Sequence, residues 1–174
     1  MYPYRYLHQL FGKLILSYHL PDYTSYIRTL KTPQHPKVVI FGNSERVYEL
    51  INKQFLGFKH VNGVEFEHKE DFTSAGEIAN NLIQAENGYD LGSLVTDYPT
   101  NLKQAERLDV LIDGVNLALY LKDPTDQVTQ QRHQEAIQYY QKTGALVEFQ
   151  IDPQENLEEQ AKKLQILVTN EYKH

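Results

Sequence analysis

Few side chains in this 174-residue chain stand where chemistry would need them. The first β-rich run, Lys37-Val38-Val39-Ile40-Phe41, is followed by Gly42-Asn43-Ser44-Glu45-Arg46-Val47. A loop that cradles phosphates after a strand needs G-x-x-x-x-G-K-[ST], because its backbone N–H groups and its lysine hold the anion. Here one glycine remains, the loop is short, and the lysine and the hydroxyl after it are missing. Glu45 would add a carboxylate where phosphates would lie. The Gly12-Lys13 pair is followed by Leu14 inside a helical stripe and is no substitute.

Three other polar residues have ordinary structural readings. Asp97 ends a β-rich run just before Tyr98-Pro99, where an aspartate serves as a turn-maker. Gln104 lies three residues after Asn101, the spacing of two reciprocal helix caps. Arg132 reads as a solvated helix arginine or an interface ion-pair partner. Arg46 reads as a surface residue at a helix start. The seven histidines, His8, His60, His68 and His133 among them, show no metal-ligand spacing. The chain has no cysteine, which excludes a disulfide framework, a thiolate zinc site and thiol catalysis. No Ser-His-Asp arrangement stands out, so no catalytic residue and no metal ligand are assigned.

The elements that would position these residues alternate from Lys37 onward. Strands are predicted at 37–41, near Phe58–Val61, at Ser93–Thr96, over Val115–Leu121 and over Ala145–Ile151. Ser44 caps a helix carrying Val47, Leu50, Ile51 and Phe55. Ser74-Ala75-Gly76-Glu77 reads as a capping box that opens a helix burying Ile78, Ala79, Leu82 and Ile83. Asp123 and Pro124 read as the start of a helix running to Thr143, with Gly144 as its left-handed end. Asn156 to Glu159 begins a last helix that turns Leu157, Ala161, Leu164 and Val168 inward. Such alternation predicts an α/β fold with a five-stranded parallel sheet covered by helices on both faces, and ligands beyond the carboxyl ends of its strands.

Residues 1–36 form a separate unit ahead of the domain at 37–174. Arg5, Lys13, Arg28 and Lys31 oppose the single acid Asp22, whereas the whole chain carries a net charge of −6. The acidic main domain is a poor match for nucleic acid. Leu7, Leu10, Phe11, Leu14 and Tyr18 draw one apolar stripe along a helix, and Tyr23 and Tyr26 fall on a shorter one. Tyr4 and these residues are candidate partner-binding side chains, since ordering an arm of this length needs apolar burial to offset its entropy. The arm packs on its own domain or docks on a partner, and its Tyr and Arg content favours the partner. Its basic, acid-poor composition resembles a mitochondrial targeting segment. No run of about 18 apolar residues occurs that would make a transmembrane helix.

The stretch Thr96-Asp97-Tyr98-Pro99-Thr100-Asn101-Leu102-Lys103-Gln104-Ala105 resembles the adenylate kinase signature D-G-F-P-R-T-x-x-Q-A. Asp123-Pro124-Thr125-Asp126 with Arg132 after it, Tyr139-Tyr140 before Gly144-Ala145-Leu146-Val147, and Ile151-Asp152 extend the resemblance over roughly 37–168. It implies a P-loop nucleotide-kinase-like sheet and vestigial nucleotide-binding positions at Gly42, Asp97, Gln104 and Arg132. The departures carry as much weight. Thr100 stands for the AMP-binding arginine, the phosphate loop is degenerate, and Arg132 runs into His133 with no lid insertion between them.

The resemblance therefore implies a pseudo-enzyme, since phosphoryl transfer is almost wholly positioning and charge stabilisation. It implies an accessory subunit of a large assembly, held by the arm and needing no cofactor. A mitochondrial respiratory-type complex is the first setting and a cytoplasmic axonemal one the second. The alternatives are a non-catalytic nucleotide-binding module and a small active nucleoside monophosphate kinase.

Overall fold

The structure, a computed structural model, describes residues 35–84 and 90–171. The predicted arm, with Tyr4, Leu7, Leu10, Phe11, Leu14, Tyr18, Tyr23 and Tyr26, lies outside the described residues.

Five strands form one parallel sheet: β1 (Lys37–Phe41), β2 (Lys59–Asn62), β3 (Ser93–Thr96), β4 (Leu117–Lys122) and β5 (Leu146–Gln150), in the order β2-β3-β1-β4-β5. The helices are α1 (Glu45–Gln54), α2 (Asp71–Gln84), α3 (Leu102–Ile112), α4 (Gln127–Arg132), α5 (Gln134–Thr143) and α6 (Leu157–Glu171), with a 3₁₀ turn at Gly63–Phe66.

β1 is central because all five of its residues are buried, as a strand covered on both faces requires. Val38 and Ile40 point to one side, where α1 and α6 bring Leu50, Ile51, Ala161 and Leu164. Val39 and Phe41 point to the other, where α2, α3 and α5 bring Ile78, Leu108 and Tyr140. Each fully buried aliphatic side chain contributes about 1.5–3 kcal/mol, so Val47, Leu50 and Ile51 alone hold α1 on the sheet. β1 pairs with β3 on one side and β4 on the other. The chain therefore moves outward in both directions from β1, which leaves a crevice at the carboxyl ends of β1, β3 and β4.

Two helix starts differ from the sequence expectation. α2 begins at Asp71, so Ser74 lies inside it and its hydroxyl donates to the Asp71 carbonyl at 3.0 Å. Glu77 pairs with Lys69 rather than capping, and Ile83 is 37% exposed. Asp123 does not open a helix: its Oδ1 accepts from the Thr125 amide at 2.8 Å and makes a turn, and Asp126 caps α4 three residues later. The helix expected to run to Thr143 is two helices that break at His133, while Gly144 ends the second in the left-handed conformation (φ 77°).

Candidate functional site at the carboxyl edge of the sheet

A cavity of about 300 Å³ opens beyond the end of β3. Asp97, Gln104 and Arg132, separated in sequence by up to 35 residues, all line it, together with Phe66, Glu67 and Thr100. Gly42 is not among its walls. Gly42 (φ 143°) instead ends β1 under the Leu121 carbonyl, where a Cβ would come within 3.0 Å of that oxygen and of a Val47 methyl.

Each of these polar side chains already holds a partner from its own chain. Gln104 accepts from the Thr100 amide at 2.8 Å and from the Thr100 hydroxyl at 2.9 Å. Its own amide donates to Asp71 Oδ1 at 2.7 Å. The Asn101 side-chain Oδ1 caps α3 by accepting the Gln104 backbone amide at 2.9 Å, so half of the expected reciprocal cap forms and the other half moves to Thr100. Arg132 pairs with Glu67 across the cavity mouth. Asp97, 2% exposed and in the left-handed region at φ 56°, accepts the Tyr48 hydroxyl at 2.9 Å. Burial, then that bond and the carboxylate's charge, push the Tyr48 phenol up to about 12.

The loop after β1 is closed in the same way. The Asn43 backbone N–H, which would face an anion at the start of α1, donates to Asp126 Oδ2 at 2.7 Å. The Ser44 side chain caps α1 by accepting from the Val47 amide and donates to Asp123 Oδ2 at 2.6 Å. Burial raises the Asp123 carboxyl, but the Ser44 and Thr125 donors with the Arg46 charge outweigh it and leave it below its usual range. Two carboxylates therefore sit where the loop would otherwise hold an external anion, since helix N-termini favour negative charge.

His133 joins α4 to α5 and is 1% exposed. Its Nδ1 lies 2.8 Å from the Pro99 carbonyl, its ring is 5.4 Å from that of Phe41, and its Nε2 has no hydrogen-bond partner. Burial lowers its pKa, with the Arg132 charge adding to the shift; the Pro99 bond and the Asp97 and Asp126 charges oppose it. A histidine held below its unfolded value leaves stability intact above about pH 6.5 and removes it as pH falls toward the folded value. His133→Asn, whose amide can replace Nδ1, is expected to flatten the loss of stability between about pH 7 and 5 in urea titrations. An unchanged slope would place the titration elsewhere.

Glu67 and Tyr48 carry no sequence signal for these roles. Glu67 meets a partner 65 residues away from inside a polar stretch without periodicity, and Tyr48 reads as one more helix residue. Asp126 had a signal, the Asp-x-x-Thr spacing of an N-cap, which Asp123-Pro124 obscured. Among the described residues no group of three His, Cys, Asp or Glu side chains is arranged for a metal, and no helix is long and apolar enough to cross a membrane. No family model matches the sequence, and no curated protein matches it.

Proposed function

We propose that the chain is a catalytically inactive, adenylate-kinase-like protein that serves as a structural accessory subunit of a larger assembly, with the arm at 1–36 as its anchor. The observation that carries this reading is the hydrogen bond from the Asn43 amide to Asp126. A loop that hands this N–H to an internal carboxylate offers a phosphate one donor fewer and a negative charge to meet, and Glu45 stands beside it. Gln104 and Arg132 argue the same way, because a base or phosphate would have to break their internal bonds first. A fold kept without its chemistry fits a scaffold role. The arm's composition favours a mitochondrial respiratory-type complex over an axonemal one.

A non-catalytic nucleotide-binding module is the second reading, and one observation favours it: Asp97, Gln104 and Arg132 do line a common cavity. A single comparison separates the two. The full chain carrying Leu10→Asp and Leu14→Asp is expected to lose its partners in native pull-downs analysed by mass spectrometry. AMP, ADP and ATP at millimolar concentration should leave its melting temperature unchanged. Retained partners would remove the arm as anchor. A saturable nucleotide shift abolished by Arg132→Ala would establish the second reading instead.

A further inference from the structure

Asp97 is electrostatically incomplete. It is 2% exposed and lines the cavity, yet its hydrogen bond among the described residues comes from a neutral phenol, Tyr48. None of the ion pairs among the described residues includes it. A buried carboxylate is ordinarily paired with a cation, because a charge taken out of water without a partner loses its hydration uncompensated. The guanidinium that lines the same cavity, Arg132, is engaged by Glu67, and the Gln104 amide donates to Asp71.

The donors in the lining are already engaged, since Thr100 gives its amide and its hydroxyl to Gln104. The Pro99 carbonyl can only accept, so the proton of the neutral His133 sits on Nδ1, and the unpartnered Nε2 of this ring, on which the Asp97 charge acts, carries a lone pair. Asp126 lies close enough to act on the same imidazole. Phe66 adds an aromatic wall whose ring already carries the Lys69 ammonium at 5.2 Å from its centroid.

We propose that this cavity receives an organic cation, an ammonium or guanidinium group, which pairs with the Asp97 carboxylate. Phosphate is disfavoured, since it would meet Asp97 and Glu67 while the one lining cation is already taken. A divalent metal is disfavoured because it needs several oxygen ligands, and no cluster of three metal-ligating side chains exists among the described residues. A volume of about 300 Å³ is at the small end for ligand cavities and accommodates a lysine or arginine side chain or a free alkylamine. The site deepens the accessory-subunit reading by giving the chemistry of one partner contact. It is tested without reference to the arm or to any complex, so either can fail alone.

The test is a two-dimensional NMR titration of the full chain with three probes: Nα-acetyl-lysine amide, spermidine, and the neutral Nα,Nε-diacetyl-lysine amide. Both charged probes are expected to give saturable shifts at the amides of Tyr98, Thr100 and Gln104, and the neutral probe none. Tighter binding of acetyl-lysine amide would identify a partner side chain as the source, and tighter binding of spermidine a free amine; either supports the site. Asp97→Asn, which keeps an acceptor for Tyr48, should weaken binding by roughly tenfold or more. Glu67→Gln leaves Asp97 in place but frees Arg132 to compete for it, and should weaken binding as well, which covers the case of an Asp97 variant that folds poorly. Equal shifts with the neutral probe, no saturable shift with either amine, or unchanged affinity in both variants would overturn the proposal.

Discussion

Gly63→Ala is expected to lower the stability of the chain by about 3 kcal/mol, a fall in melting temperature of roughly 10 °C. Gly63 opens the 3₁₀ turn after β2, and a Cβ there would lie 2.5 Å from Tyr98 Cβ, 2.6 Å from the Thr96 carbonyl oxygen and 2.9 Å from the Asp97 carbonyl carbon. Overpacking usually costs about 1–3 kcal/mol. The upper end applies because the atoms in the way are backbone or Cβ, and none can rotate aside. The turn must then lift from the end of β3, taking Phe66 and Glu67 with it and parting Glu67 from Arg132. Urea denaturation measures the loss, and the cavity amides should move in NMR spectra. Gly76 supplies the contrast. Nothing lies within 4 Å of a Cβ built there, and in the interior of α2 an alanine should be neutral or stabilise by up to about 1 kcal/mol. A Gly63→Ala variant as stable as Gly76→Ala would mean that the turn is free to move.

The sheet was legible in the sequence because its signals are local. Four consecutive apolar residues after Lys37, stopped by a glycine, fix β1, Ser44 and Asn101 stand at their cap positions, and Gly144 marks a helix end that the left-handed region makes nearly obligatory. The misread starts have local causes too. Ser74 and Glu77 have capping-box spacing, but the Glu70 carbonyl already accepts the Ser74 amide and the Ser74 hydroxyl turns back to the Asp71 carbonyl, so the helix is already running at Ser74. The break at His133 was illegible because it follows from packing: the ring turns inward onto Phe41 and is held by the Pro99 carbonyl, 34 residues away in sequence. The same limit governed the site. Asp97, Gln104 and Arg132 stand out as individual residues, whereas the partners that engage Gln104 and Arg132, Asp71 by a hydrogen bond and Glu67 by an ion pair, come from a stretch with no periodicity to announce them. Sequence spacing locates donors and acceptors. It does not show which of them are already spent on each other.

Phe41→Ala tests that coupling between core and edge, and its expected cost is about 3–5 kcal/mol. Phe41 is fully buried at the carboxyl end of the central strand, paired in register with Tyr120, and its ring lies 5.4 Å from the His133 ring and 6.1 Å from that of Tyr140. Removing it leaves a cavity between β1 and the α4–α5 junction that its neighbours fill only in part. The stability loss alone would be shared by many core truncations, so the informative quantity is its pH dependence. Burial is the largest cause of the lowered His133 pKa, and the Phe41 ring supplies part of that burial. With the ring gone, water reaches the imidazole and its pKa should return toward about 6.5, the unfolded value. The variant should therefore be less stable than the parent at every pH while losing less further stability as pH falls from about 7 to 5. Val39→Ala, on the same strand and face but without a ring on His133, should reduce stability and keep the parent slope. If both variants keep that slope, the burial of His133 comes from the α5 side, and the edge of the sheet is insulated from the core beneath it.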